Sequence, residues 1–208
     1  MKKSKATFKF KNAITQLGVS LLAVTMVACT STSSSTGSQS STNQRNAGFV
    51  EGGTVVALVN IHADYANNRL YALNYQMSNL IPMCSEFVIK DIGSKEIEIS
   101  HQGKTYSYLW DKHTRSAGQS LEENFNTFFG ERCDSARVKQ LSKIDQEGIA
   151  KGKPLIGMTK EGVKYAMGTP PIHATASLDE NNWTYWINKW ARNILEFDEK
   201  GHLKHIVK

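Results

Sequence analysis

The sequence predicts an α+β protein whose first half is rich in strands and whose second half combines helices with a small sheet. Segments of β-branched and aromatic residues, separated by short polar turns, run from Thr54 to Trp110. Capped amphipathic segments follow, and strand-like segments occupy the chain from Trp183 onward. Together these patterns predict a small N-terminal antiparallel β-barrel, linking helices, and then a helix pair packed on a three-stranded antiparallel sheet.

Residues 1–28 are expected to be a signal peptide. A basic head with five lysines precedes the apolar stretch Leu17–Ala28, which is too short to span a bilayer as a mature helix. The stretch ends in Met26-Val27-Ala28-Cys29, which resembles the lipobox of bacterial lipoproteins. This resemblance implies cleavage before Cys29, lipidation of its thiol and attachment to a membrane through the lipid. Ordinary secretion with cleavage near Ala28 is the alternative.

The basic character of the chain comes mainly from this leader. The formal net charge is +6, and removal of five lysines with no acid leaves +1 for residues 29–208. The remaining lysines and arginines are interspersed with acids and form no concentrated cationic face of the kind that nucleic acids require. The sequence therefore predicts that nucleic acid is not a partner.

Residues 29–46 contain the predicted lipidated cysteine and a Ser/Thr-rich tract with little apolar surface to bury, so we expect a flexible tether. The β-rich region spans residues 47–115. There, Ile97 and Ile99 alternate with polar neighbours and should share one buried face. The run Leu80–Ile89 resembles a segment of bacterial SH3-like domains, which implies a small barrel. A plain β-meander is the alternative.

Two helical signals are expected to link the two regions across residues 116–148. Ser120–Glu123 has the pattern of a capping box. The apolar stripe that goes with it consists of Leu121, Phe125, Phe128 and Phe129. A second helix is expected from Asp134 to about Gln146, ended by Gly148.

Residues 149–208 carry the most specific pattern in the folded part of the chain. Thr159 is a natural N-cap for a helix, Gly168 can take a left-handed cap, and Pro170 prevents continuation. The buried stripe of this helix is expected to be Val163, Ala166 and Met167. The strand-like segments after it are Trp183–Ile187, Asn193–Phe197 and Leu203–Val207, with a glycine turn at Gly201.

The order of motifs in this region resembles the BamE family of small outer-membrane lipoproteins, also called SmpA/OmlA. The motifs are Gly157-Met158-Thr159-Lys160-Glu161, Gly168-Thr169-Pro170, Trp183-x-Tyr185 and Phe197-Asp198-x-x-Gly201, within about 50 residues. The resemblance implies a helix pair on a three-stranded sheet, no catalytic centre, and an accessory role in assembling or stabilising the outer-membrane β-barrel insertion machinery. The long preceding region and the doubled Pro170-Pro171 depart from the family pattern, so the identity of the partner is not implied.

No catalytic residue, cofactor or metal site is expected. Cys84 and Cys133 lack the context of a papain-like nucleophile, which disfavours a cell-wall hydrolase. The six histidines are isolated or alternate along a strand, so they are expected to be solvated or capping groups. Once Cys29 is lipidated, two cysteines remain in an oxidising compartment, and this parity predicts a Cys84–Cys133 disulfide. Two reduced thiols are the alternative.

These observations predict a non-enzymatic lipoprotein on the periplasmic face of the outer membrane that acts as a protein-interaction module for an envelope protein. The predicted partner-binding residues are Trp183, Tyr185, Trp186, Trp190, Pro170, Pro171 and Ile172. Strand alternation should send Trp183 and Tyr185 to one face and Trp186 to the other. Coverage of that second face by the preceding region is the alternative. The runner-up function is peptidoglycan binding through the SH3-like region.

Overall fold

The structure, a computed structural model, describes residues 49–208, which form eleven strands and five helices. The strands are β1 (Thr54–Ala57), β2 (Ile61–Ala63), β3 (Arg69–Tyr71), β4 (Asn79–Ile81), β5 (Glu86–Ile92), β6 (Glu96–His101), β7 (Lys104–Leu109), β8 (Phe129–Gly130), β9 (Asn182–Trp186), β10 (Arg192–Phe197) and β11 (Leu203–Val207). The helices are α1 (Lys112–Ser116), α2 (Leu121–Asn126), α3 (Ser135–Gln140), α4 (Lys143–Lys151) and α5 (Lys160–Met167). The predicted α+β class is confirmed. The predicted leader, Cys29 and the tether lie outside the described residues.

The first half of the described chain is built on a curled six-stranded sheet with the order β3-β7-β6-β5-β1-β8. Strands β2 and β4 form a separate two-stranded antiparallel sheet. The expectation of antiparallel pairing throughout is wrong at one edge, because β3 runs parallel to β7, with Leu70 opposite Tyr108. The long excursion through β4, β5 and β6 between these two strands permits a parallel crossover that a tight hairpin could not make.

Alternation along the strands produces the core of this half. Ile97 and Ile99 are fully buried while Glu98 between them is exposed, as the sequence predicts. Helix α2 begins with the predicted capping box, in which the Ser120 hydroxyl accepts the Glu123 N–H and the Glu123 carboxylate accepts the Ser120 N–H. The four residues of the predicted stripe are all buried in this core, but the prediction of one helix is wrong, because α2 ends at Asn126 and Phe129 lies in β8.

The second linking helix differs from the expectation, which placed one helix from Asp134 to about Gln146. The chain breaks at Leu141, whose extended backbone ends α3, and restarts at Ser142, whose hydroxyl accepts the Asp145 N–H as the N-cap of α4. Gly148 lies inside α4 rather than at its end. A side chain there would place Cβ 2.2 Å from the sulfur of Met158, so glycine at this position allows α4 to pack closely against Met158.

The second half packs α4 and α5 on a three-stranded antiparallel sheet with the order β11-β10-β9. Thr159 is the N-cap of α5, as predicted, and its hydroxyl accepts the Gly162 N–H. The core contains Ile149, Met158, Val163, Ala166, Met167, Trp183, Tyr185, Leu195, Phe197 and Leu203. The stripe predicted for α5 is therefore confirmed, and it covers the inner face of the sheet.

The carbonyl end of α5 is held by polar groups from the first half of the described chain. The backbone N–H of Asn60 donates to the Tyr165 carbonyl at 2.9 Å, and the Asn60 side-chain amide donates to the Ala166 carbonyl at 3.3 Å. The amides of Asn74 and Gln76 donate to the Met167 carbonyl at 2.8 and 3.1 Å. The last carbonyls of a helix need such external partners, so these bonds join the two cores.

Candidate functional site

The hairpin between β9 and β10 presents the most exposed aromatic side chain of the described residues. Trp190 is 83% exposed. The connection is closed by a bond from the Ile187 N–H to the Ala191 carbonyl, and the Asn188 side-chain oxygen accepts the N–H groups of Trp190 and Ala191. These bonds fix the backbone of the turn. The indole is therefore held in solvent by an ordered loop, where its only ring contact described is with the Lys189 ammonium, 4.9 Å from the ring centroid.

Next to this tip, Trp186 lies on the outer face of β9 within a stack of rings and a cation. The Trp186 ring stacks on His173 at a centroid distance of 6.4 Å, and His173 stacks on His113 at 5.3 Å. The Arg192 guanidinium lies 5.8 Å from the Trp186 centroid. Burial, followed by the nearby charge of His113, lowers the pKa of His173, so that imidazole is neutral at neutral pH. Trp186 is half-buried and His173 is exposed, so both rings contribute to the surface.

We define the hairpin surface as Ile172, His173, Trp186, Trp190 and Arg192. Ile172 is 39% exposed and precedes His173 in the chain. The surface combines apolar area with a cation, and exposed aromatic and arginine side chains are typical of the centre of a protein-binding site. Three of the five, Ile172, Trp186 and Trp190, were predicted from the sequence. His173 and Arg192 were missed because only the strand register and the Pro171–Thr175 turn bring them to Trp186.

The other predicted partner-binding residues are in the interior. Trp183 is 2% exposed and its ring packs on Phe197 at 4.9 Å, while Tyr185 is 0% exposed and donates its hydroxyl to the Gly168 carbonyl at 2.8 Å. Pro170 and Pro171 are also buried. The predicted alternation along β9 is present, but the inward pair belongs to the core. The hairpin surface therefore leaves these four residues out.

The two cysteines of the described chain form a disulfide. The Sγ atoms of Cys84 and Cys133 are 2.05 Å apart, and the bond joins residues 49 positions apart in sequence. Cys84, at φ +67°, follows β4 and its N–H donates to the Ala57 carbonyl. The bond links the loop before β5 to the segment that leads into α3. With both sulfurs bonded, neither cysteine of the described chain is available as a nucleophile.

Among residues 49–208, no group of three or more His, Cys, Asp or Glu side chains is arranged to hold a metal ion. His62 is the most enclosed histidine for which the structure gives polar contacts. Its Nδ1 lies 3.2 Å from the Met77 carbonyl and its Nε2 lies 3.2 Å from the Ala166 carbonyl. Burial lowers its pKa, although both carbonyls act in the opposite direction. His62 therefore contacts a carbonyl in the last turn of α5, which agrees with a helix-capping role.

No protein-family model, curated protein or solved structure matches this chain. In the described part of the chain, no helix is both long enough and apolar enough to cross a membrane.

Proposed function

We propose that this protein is a non-enzymatic lipoprotein of the bacterial cell envelope, anchored through Cys29, that binds an envelope protein through its hairpin surface. The observation that carries the proposal is the exposure of Trp190 on an ordered turn. A large indole in solvent is costly to hydrate, and burying it against a partner is favourable. Asn188 fixes the turn before binding, so little conformational entropy is lost when the partner arrives.

The anchor, the location and the family belong to the same proposal. The lipobox-like Met26-Val27-Ala28-Cys29 supports lipidation, and Thr30 in place of an aspartate after the cysteine supports the periplasmic face of the outer membrane. We propose that residues 149–208 are related to the BamE family and that the six-stranded sheet is a variant of an SH3-like barrel. Cys29→Ser should abolish incorporation of a labelled fatty acid, and undiminished label would rule out the anchor.

The partner surface is tested with Trp190→Ala in the lipidated protein. Chemical cross-linking in envelope preparations, followed by quantitative mass spectrometry, measures which proteins are captured. Removal of a hot-spot indole typically weakens binding by about 2 kcal/mol or more, or about thirtyfold. The matched control is Tyr65→Ala, because Tyr65 is 39% exposed and lies in the first half of the described chain. Equal capture by Trp190→Ala and the parent protein would contradict the proposal.

A second candidate function, peptidoglycan binding, has its own supporting observation. Tyr65 and Tyr106 lie 6.0 Å apart, and the Lys104 ammonium lies 4.5 Å from the Tyr65 centroid and 5.3 Å from the Tyr106 centroid. Burial raises the pKa of Tyr106 to about 12, so its hydroxyl remains protonated. Tyr106 is only 2% exposed, so sugar C–H groups can pack only on the Tyr65 ring of this pair, and the Lys104 ammonium can pair with peptide carboxylates.

Sedimentation with purified sacculi separates the two candidates. Peptidoglycan binding predicts that Tyr65→Ala lowers the pelleted fraction while Trp190→Ala leaves it unchanged. The protein-partner proposal predicts that Trp190→Ala lowers the amount of partner captured by cross-linking, while Tyr65→Ala leaves it unchanged. The two variants therefore serve as each other's controls, and a parent protein that does not sediment with sacculi would exclude the second candidate.

A further inference from the structure

A cavity of about 330 Å³ opens between the two halves of the described chain, away from the hairpin surface. Its apolar lining consists of Met77, Leu80, Pro154, Met167, Ile187 and Ile206. The β2–β4 segment supplies one wall, the loop after α4 supplies another, and the inner face of the three-stranded sheet supplies the third. The cavity shares no residue with the hairpin surface.

The cavity exists because α5 is shorter than the sheet that it covers. The helix ends at Met167, while the inward-facing row of the sheet continues to Asn193, which pairs with Tyr185. Gly152, at φ +60°, then brings the loop after α4 close to β4. A side chain at Gly152 would place Cβ 2.6 Å from Leu80 Cδ1, so the wall depends on this glycine. The apolar space is part of the folded architecture.

The charged side chains that line the cavity are all lysines. Lys151, Lys153 and Lys208 line it, together with His62, and no aspartate or glutamate does so among the described residues. Lys151 is already paired with Glu147 at 2.6 Å. Lys153 is exposed and takes part in none of the ion pairs found within residues 49–208. Lys153 therefore provides an uncompensated positive charge at the rim of an apolar cavity.

We infer that this cavity binds a single-chain anionic amphiphile, with the alkyl chain among Met77, Leu80 and Met167 and the carboxylate at Lys153. Ligand cavities span about 300–1,000 Å³, and this one is at the lower limit, which suits one short chain rather than a two-chain lipid. The two methionines line the cavity with flexible thioethers that adapt to a chain without fixed shape. The basic rim selects the sign of the head group.

Methionine-methyl NMR of the full chain tests the inference, with sodium decanoate as the probe below its critical micelle concentration. The chain contains six methionines, which report on different places. Decanoate should shift the Met77 and Met167 methyl signals saturably and leave Met158, which is buried in the second core, unchanged. Shifts confined to Met26 would show association with the predicted leader instead and would overturn the inference.

The charge requirement is tested with a second probe and a matched pair of variants. Decyltrimethylammonium should bind at least about tenfold more weakly than decanoate, and Lys153→Glu should weaken decanoate by a similar factor. Lys90→Glu is the control, since Lys90 is an exposed lysine on β5 outside the cavity. From octanoate to decanoate the affinity should rise about fourfold per methylene. Equal binding of both head groups, or no effect of Lys153→Glu, would overturn the assignment of an anionic ligand.

Discussion

Asn60 is the residue whose replacement should reveal most clearly how the two cores are joined. It is buried, and its amide donates to the carbonyls of Ile149 at 2.7 Å and Ala166 at 3.3 Å, while its oxygen accepts the Met83 N–H at 2.9 Å. In Asn60→Ala, the Ile149 carbonyl keeps the Gly152 N–H as a donor, and the Ala166 carbonyl faces His62 Nε2, which donates in one of the two neutral tautomers. Only the Met83 N–H loses its partner within the described chain.

These contacts set the expected magnitude. An unsatisfied buried N–H costs about 1–3 kcal/mol, and each of the two lost donor bonds contributes about 0.5–1.5 kcal/mol. We therefore expect Asn60→Ala to lower the free energy of unfolding by about 4 kcal/mol. This is a large fraction of the stability of a typical domain, which is about 5–15 kcal/mol.

Urea denaturation followed by tryptophan fluorescence measures this change on the oxidised protein. Asn181→Ala is the matched control, because Asn181 is exposed and its side chain makes no hydrogen bond described in residues 49–208. Asn60→Asp adds a pH test. The carboxylate keeps the acceptor for Met83 but cannot donate to the carbonyls until it is protonated, so its destabilisation should shrink as the pH falls. A loss below about 1 kcal/mol for Asn60→Ala, or one equal to the control, would refute this account of the junction.

Three further changes test other parts of the structure. Reduction of the Cys84–Cys133 bond, which spans 49 positions, should lower the free energy of unfolding by about 4 kcal/mol in denaturant titrations, and an unchanged midpoint would contradict this. Gly162→Ala should lower the melting temperature, because its Cβ would lie 2.0 Å from Asp145 Oδ1, and relieving this clash costs about 1–3 kcal/mol. The higher helix propensity of alanine, acting alone, would raise the melting temperature instead. Since burial lowers the pKa of His62 below 6.5, the unfolded chain binds its proton more readily, so stability should fall as the pH drops through and below 6.5. His62→Gln should remove part of that fall when unfolding is measured at about pH 7.5 and about pH 5.5.

Local patterns predicted the second half of the chain well. Thr159 caps α5, and the three strands and the turn at Gly201 lie within a residue or so of the expected bounds. Each of these features is determined by neighbours in sequence: a hydroxyl three residues before an N–H, alternating apolar residues, or a glycine at positive φ. The capping box at Ser120 was predictable for the same reason.

Features that depend on distant residues were not predicted. The parallel pairing of β3 with β7 depends on where the chain returns after three intervening strands. The break at Leu141 depends on Ser142 and on the packing of α4 against Met158, which a single apolar stripe does not reveal. Asn60 has no local motif, and its partner in α5 lies 106 positions away. The division of residues 47–208 into separate regions stays a prediction.

The end of α5 also determines how the cavity and the hairpin surface relate to each other. Met167 lines the cavity, and only Gly168 to Pro171 separate it from Ile172 on the hairpin surface. This short connection is fixed at several points. The Met167 carbonyl accepts from Asn74 and Gln76, and the Gly168 carbonyl accepts from Tyr185. A side chain at Gly168 would place Cβ 2.8 Å from the Phe128 ring, so there is little room for movement. An alkyl chain that enters the cavity would thus have to break these buried hydrogen bonds in order to displace Ile172. This cost favours two sites that act independently on one rigid framework.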